Sequence, residues 1–312
     1  MIDNVTNKSA IITGGAGFIG SNLTPRLLDL GFSKVYLIDN LMRTNSLRNL
    51  EYDSRVEFVY GDAKLFEFQK LDNITHFFHL ASPKINRCAE NNLEGHKTIV
   101  DSGFNAIDYC VKNKVKLFFA STASVYNNIK VLPIGEDNTC RPHTIYGAGK
   151  YYTECLIKSF DKMYGLDYTI NRFFNVYGVR MDCSGAYTEV IFNWLNSIKN
   201  GDNVITVHGD PNNKILDLVY VSDVVDAIIA STFNSNKNVF NVSTQCGVTL
   251  SQLIETIENV TNASLVKNIV SETRKDLELK RVGDTTKLTK LGWKCKVDLE
   301  AGITKTWNWL NA

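Results

Sequence analysis

The sequence places a tyrosine and a lysine four positions apart, in Tyr146-Gly147-Ala148-Gly149-Lys150. On a helix two such side chains share one face. An ammonium beside a phenol favours the phenolate and lowers a phenol pKa from about 10 towards neutrality. The result is a general base able to take a proton from an alcohol or a sugar hydroxyl. A second hydroxyl stands upstream, in Ser121-Thr122-Ala123-Ser124-Val125-Tyr126. Thr122 is the first choice for the group that holds the oxygen losing its proton, and Ser124 competes with it. The alternative is that Ser121, Thr122 and Ser124 only satisfy backbone groups where a strand ends. The histidines suggest no metal site: His76 and His79 share one strand, and His96, His143 and His208 are scattered. No Ser-His-Asp or Cys-His nucleophile pattern stands out.

A Tyr-x-x-x-Lys pair is common, and its setting decides its meaning. Here it lies behind a glycine-rich turn, Thr13-Gly14-Gly15-Ala16-Gly17-Phe18-Ile19-Gly20. The turn follows the apolar run Ala10-Ile11-Ile12, which reads as a buried strand. It leads into Ser21–Leu28, apolar at helical spacing with Pro25 read as early in the run. Glycines let the backbone approach a pyrophosphate, and the N–H groups of the first helical turn point at it. An acid follows about 20 residues on, as a dinucleotide site requires. It is Asp39, at the end of the second apolar run Lys34–Ile38. A carboxylate there accepts hydrogen bonds from a ribose and repels a 2′-phosphate, which favours NAD over NADP. Arg43, close by, weakens that preference.

The elements that carry these residues alternate between strand and helix through the first half, the pattern of a doubly wound parallel α/β sheet. Further strands are expected at Arg55–Tyr60, His76–Leu80, Lys116–Ala120 and Asp167–Arg172, with helices at Ile99–Lys112 and from Tyr146 towards Tyr164. Asp62, in Gly61-Asp62, reads on its own as a turn residue. The second half is less regular, with helices at Val190–Ile198 and Leu250–Val260, a strand at Leu218–Val221, and Ser222-Asp223 as the cap of a helix through Ala230. No linker marks a boundary, so a second domain should be interleaved with the first. The expected division gives 1–174 and roughly 214–245 to a dinucleotide-binding domain, and roughly 175–213 and 246–312 to a smaller substrate lobe.

With 312 residues, 44% hydrophobic and 21% charged, the chain has the make-up of a soluble globular protein. A net charge of +1 gives no reason to expect nucleic acid or an anionic membrane as partner. No leader pattern appears at the N-terminus, and no run approaches the roughly 20 apolar residues of a membrane span. The seven cysteines are scattered and include no Cys-x-x-Cys pair, so buried free thiols in a reducing cytoplasm are expected.

The motifs together resemble the extended short-chain dehydrogenase/reductase family, in particular its NAD-dependent nucleotide-sugar epimerases and dehydratases. Residues 13–20 look like the family's cofactor turn, implying cofactor contacts at Gly14, Gly17, Phe18, Ile19 and Gly20. Ile38-Asp39-Asn40 resembles its ribose-binding strand end, and Gly61-Asp62-Ala63 its adenine contact. His79-Leu80-Ala81 resembles the strand end beside the cofactor. Lys84 falls where the family often has a ligand-facing lysine. The resemblance makes Thr122, Tyr146 and Lys150 the catalytic set, with Tyr146 and Lys150 also touching the cofactor. It further implies substrate contacts at Lys84, Ser124, Asn175, Arg180 and Arg274, the last lying ten residues before Asp284. A homodimer through Ile99–Lys112 and Gly149–Tyr164 is implied as well.

Departures from the family pattern narrow the reaction. The family often clamps a diphosphate with an arginine just before the aspartate of Asp217-Leu218-Val219-Tyr220-Val221, and here that residue is Leu216. Arg274, Arg180 or Lys214 must then take the role. Asn127 replaces the usual glycine after Val125-Tyr126. Ala123 and Ser124 stand where dehydratases and decarboxylases of the family carry an acid. The implied activity is therefore 4-epimerisation of a nucleotide sugar, most simply a UDP-sugar. Other nucleotide-sugar enzymes on the same scaffold are the alternative: a 4,6-dehydratase, a 4-dehydrogenase or a 4-keto-sugar reductase. A non-catalytic NAD-binding module would leave the Thr122, Tyr146 and Lys150 set without a use.

Overall fold

The computed structural model describes residues 7–42, 46–126, 131–181, 190–271 and 280–312. In chain order its strands are β1 (Ser9–Thr13), β2 (Lys34–Asp39), β3 (Val56–Tyr60), β4 (Ile74–His79), β5 (Lys116–Thr122), β6 (Tyr168–Phe173), β7 (Asn175–Tyr177), β8 (Val204–His208), β9 (Ile215–Tyr220), β10 (Asn238–Val242), β11 (Gly247–Thr249) and β12 (Val266–Val270). Seven of them form one sheet in the order β10-β6-β5-β4-β1-β2-β3, with every neighbouring pair parallel. Parallel strands covered on both faces need apolar side chains on both faces. That is why β1 reads as an unbroken run: Ala10, Ile11 and Ile12 are all fully buried.

The helices are α1 (Phe18–Asp29), α2 (Ile85–Glu90), α3 (Asn92–Asn113), α4 (Ile145–Tyr164), α5 (Val190–Lys199), α6 (Val221–Asn234), α7 (Leu250–Thr261), α8 (Thr286–Thr289) and α9 (Leu299–Asn311). Leu23 and Leu27 of α1 and Val224 and Ile228 of α6 share a core with Ile12, Phe78 and Phe118 on one face of the sheet. Ala106 and Ile107 of α3 and Ile157 of α4 pack with Ile11, Phe77 and Phe119 on the other. A separate core, with Phe192, Leu195, Ile205, Leu253, Ile257 and Ile303, gathers α5, β8, α7 and α9. The seven-stranded sheet with helices on both faces is the doubly wound architecture expected. Among the described residues, no helix is long and apolar enough to cross a membrane.

Several details depart from expectation. The seventh strand, β10, has no counterpart among the strands read from the sequence. The strand at 215–220 lies outside the large sheet, between β7 and β11 in a three-stranded sheet, although it falls within 214–245. Leu288 and Trp293 pack into the core under α1 and α6, although they fall within 246–312. Ser222-Asp223 does not cap α6, whose N-cap is Tyr220 with no side-chain bond. Asp223 instead accepts from the backbone N–H groups of Lys296 and Val297, at 3.1 and 2.9 Å, and so latches the C-terminal segment. Of the cysteines, Cys88 and Cys110 are buried free thiols, whereas Cys155 and Cys246 are exposed.

Pro25 is also displaced from its expected place. Because α1 begins at Phe18, Pro25 sits in the helix interior rather than in the first turn. A proline has no N–H to offer the carbonyl four residues back. Here that carbonyl belongs to Ser21, and Arg180 Nη1 donates to it at 2.6 Å.

Candidate active site

The carboxyl ends of the parallel strands open into one cleft, where ligands bind in sheets of this kind. Gly14, Gly17, Phe18, Ile19, Gly20, Asp39, Asn40, Asp62, Ala63, Leu80, Ala81, Lys84, Thr122 and Tyr146 all line it. The glycine turn is compact: a Cβ at Gly20 would meet the Gly14 carbonyl oxygen at 2.4 Å. The Asp39 carboxylate braces the turn from β2, accepting from Ala16 N at 3.1 Å and from Leu41 N at 2.9 Å. Asn40 Nδ2 donates to Asp62 Oδ2 at 3.4 Å, and Asp62 Oδ1 accepts from Lys64 N at 3.0 Å. Asp62 thus fills the turn role while facing the cleft.

A buried chain of hydrogen bonds ties the turn to the end of β4. Ser102 Oγ donates to Thr98 O at 2.5 Å, so it accepts from His79 Nε2 at 3.2 Å. His79 Nδ1 then accepts from Thr13 Oγ1 at 2.7 Å, and Ala81 N donates to Thr13 Oγ1 at 3.5 Å. These partners assign a neutral imidazole. Burial, with Lys150 nearby, pushes His79 down to about 3 from its ordinary 6.5. In the unfolded chain the same group takes up a proton near 6.5. The stability it carries is therefore complete above that pH and is lost as pH falls towards 3, at about 1.4 kcal/mol per pH unit. Chemical-denaturation midpoints should fall between pH 7 and pH 5, and less so in His79→Gln. Equal slopes would show that His79 is not the group responsible.

At the other end of the cleft stand the hydroxyls. Helix α4 is capped by Thr144, whose side chain accepts from Gly147 N at 3.0 Å. Its first turn presses so closely on the end of β5 that a Cβ at Gly147 would meet the Ser124 carbonyl oxygen at 2.3 Å. This brings Tyr146 to the same cleft as Thr122. Lys150, only 2% exposed, lies behind the lining. Its Nζ donates to Ala120 O at 2.8 Å and sits 4.8 Å from the Phe119 ring centre. Burial lowers the Lys150 ammonium to about 7, against the opposing pull of Cys88 and Glu154. A buried lysine whose ammonium is pushed this far down, one helical turn past a tyrosine that lines the cleft, is the kind of group found at reactive sites.

Thr122 serves the backbone as well, because its Oγ1 accepts from Ser124 N at 3.1 Å. That bond occupies a lone pair and leaves the hydroxyl proton free to be donated. The backbone-satisfying reading of the Ser121–Ser124 segment therefore holds for Thr122.

The expected substrate contacts are dispersed. Asn175 Nδ2 donates to Asp217 O at 3.1 Å, tying β7 to β9. Arg180 is drawn to the Ser21 carbonyl and pairs with Glu51, in a neighbouring pocket rather than in this cleft. Its backbone has φ of +67°, held by Asn49 Nδ2 donating to Arg180 O at 3.1 Å. Arg274 lies outside the described residues. Ser124 Oγ lies 3.5 Å from Arg281 Nη1, at the edge of hydrogen-bonding reach. Arg281 was missed in the sequence. Its backbone N–H donates to Ile215 O at 3.2 Å, which sets it beside Leu216, the position that lacks the expected arginine. Only its place close to Gly283-Asp284 could have drawn attention to it.

Fold and cleft together define a dinucleotide-binding α/β protein. The chain belongs to the NAD dependent epimerase/dehydratase family, whose model matches residues 10–243. Its relatives include a UDP-glucose 4-epimerase of Lactobacillus helveticus, 29% identical over 96% of each chain. A UDP-glucuronic acid decarboxylase of Arabidopsis thaliana is 28% identical over 95% of this chain and 87% of that one. The crystal structure of a UDP-glucose 4-epimerase from Thermotoga maritima with UDP-glucose superposes with a TM-score of 0.90 at 30% identity, covering 97% of this chain and 98% of the other. The protein is an NAD-dependent enzyme of this family. The residues present fit that cofactor, since the glycine turn admits no added Cβ at Gly20 and Asp39 stands at the end of β2.

Proposed function

We propose that this enzyme is a nucleotide-sugar 4-epimerase acting on a UDP-sugar. One observation carries the reading. Among the described residues lining the cleft, the only carboxylates are Asp39 and Asp62, at the glycine-turn end, while Thr122 and Tyr146 occupy the other. Removal of water from a sugar calls for an acid at the reacting carbons, whereas epimerisation needs a base and a hydrogen-bond donor at one oxygen. Tyr146 takes the proton of the 4-hydroxyl, and Lys150 favours its phenolate. Thr122 donates its remaining proton to the same oxygen as that becomes a carbonyl. When bound, NAD supplies reversible hydride transfer at C4, and return to the opposite face inverts that carbon.

The test is to incubate the purified protein with UDP-glucose, UDP-N-acetylglucosamine and UDP-glucuronate without added NAD, followed by mass spectrometry and proton NMR. A product of unchanged mass with an inverted C4 proton pattern is expected. Loss of water or of two hydrogens would overturn the reading. A second reading, decarboxylation of a UDP-uronate, has one observation in its favour: the Arg281 guanidinium beside Ser124, since arginine suits a carboxylate. Release of CO2 from UDP-glucuronate would select it.

Homodimer formation through α3 and α4 belongs to the same proposal. Phe104 and Tyr152, 48% and 50% exposed, flank a surface groove between these helices. Exposed aromatic side chains on two neighbouring helices are apolar area that a second copy of the chain would bury. Light scattering should give a dimer for the native chain and a monomer for Phe104→Glu/Tyr152→Glu; a native monomer would end this part of the proposal. A cytoplasmic location is proposed too, where the exposed Cys155 and Cys246 thiols would stay reduced.

A further inference from the structure

Behind the reactive end of the cleft lies a charged pair that none of the steps above uses. Glu154 stands on α4, one turn past Lys150 and two past Tyr146, with its side chain fully buried. Arg172 of β6 is 3% exposed and meets it twice, Nε to Oε1 at 3.0 Å and Nη2 to Oε2 at 2.7 Å. Ser121 Oγ, one residue before Thr122, donates to the same Oε1 at 2.5 Å. The third guanidinium nitrogen, Nη1, donates to Tyr126 OH at 2.8 Å and to Glu136 O at 3.1 Å. Tyr126 OH in turn donates to Asn241 Oδ1 at 2.7 Å.

Stability does not account for this arrangement. Taking two charges out of water is so unfavourable that replacing a buried ion pair by well-packed apolar residues is often neutral or stabilising. What a bidentate carboxylate–guanidinium pair supplies is fixed geometry. Two tethers join α4 to consecutive residues at the end of β5: Lys150 Nζ to Ala120 O, and Glu154 to Ser121 Oγ. A helix held at two points one turn apart can neither slide nor rotate against the strand. The next strand residue is Thr122, and the turns of α4 leading into these tethers carry Tyr146.

We propose that Glu154 and Arg172 are positioning residues that hold the Tyr146 phenol and the Thr122 hydroxyl at the spacing of a single substrate oxygen. The proposal rests on the reading of Tyr146 and Thr122 as the reacting pair. It explains why charge is kept where an apolar core would be at least as stable.

The test uses two variants of the full-length enzyme. Glu154→Met/Arg172→Met replaces the pair with apolar side chains, and Ser121→Ala cuts the tether to β5 while leaving the pair intact. In the double variant the denaturation midpoint should equal or exceed that of the native protein. In both variants bound NAD should stay at its native content and KM within about twofold, while kcat falls roughly ten- to a hundredfold, as a displacement of about 1 Å produces. A folded double variant with native kcat overturns the proposal. Should it fail to fold, Ser121→Ala decides alone, native kcat again overturning it. A rise in KM or loss of NAD from Ser121→Ala, with kcat unchanged, would make Ser121 a ligand contact and also overturn it. Tyr146→Phe separates the two levels: an active Tyr146→Phe removes the underlying reading, whereas an inactive one beside a fully active Ser121→Ala removes the positioning alone.

Discussion

Tyr146→Phe should lower kcat by about 10²-fold or more, the typical worth of a positioned general base, with KM and bound NAD close to native values. The substitution removes one oxygen and keeps the ring that lines the cleft. The supports of α4 are untouched, since Thr144 still caps Gly147 and Lys150 still reaches Ala120. A loss confined to kcat would therefore report on the proton transfer rather than on the fold. The measurement is steady-state kinetics on the UDP-sugar identified by product analysis, alongside the NAD content of the purified variant. Near-native turnover would remove Tyr146 from the chemistry.

The largest effect on stability is expected at Asp217. Its carboxylate is fully buried and gathers four donors: Ser243 Oγ at 2.5 Å, Thr244 N and Oγ1 both at 2.7 Å, and Gly283 N at 3.2 Å. Burial raises its pKa, and those hydrogen bonds oppose the rise. This one side chain joins β9 of the small sheet to the segment after β10 and to the stretch that carries Arg281. Asp217→Ala would leave all four donors without their acceptor, and destabilisation of about 3–5 kcal/mol is expected, the scale of breaking a buried charged network. Against a total stability of roughly 5–15 kcal/mol, that is a large share. Urea unfolding of native and variant protein is the check, and a loss below about 1 kcal/mol would show that the network is not holding the two sheets together.

Physical reasons separate what was legible in the sequence from what was not. Strands β1 and β5 could be read because parallel strands buried on both faces write continuous apolar runs. The glycine turn could be read because close backbone approach excludes any side chain at Gly20. Strand β10 could not, because Asn238-Val239-Phe240-Asn241-Val242 breaks its apolar run with Asn241, a buried polar residue that accepts from Tyr126 OH. The place of β9 was hidden for another reason. Its partners β7 and β11 are each three residues long, too short to leave a periodic signal. Asp223 has the type and place of a helix cap, and only the fold brings Lys296 and Val297 to it. Thr122 was legible as a hydroxyl at the end of a strand, but the direction of its hydrogen bonds depends on where Ser124 N lies.

Pro25 and Arg180 point to a dependence that reaches across the chain. One helix is completed by a side chain from a distant part of the sequence, so the two positions are not independent heritable units. Any residue with an N–H at position 25 would make the Arg180 bond to Ser21 redundant and leave the guanidinium with its Glu51 partner. Loss of Arg180 while Pro25 remains would leave the Ser21 carbonyl without this donor. Variation at the two sites should therefore be correlated among relatives, and a mutational scan that changes one site at a time would misjudge both.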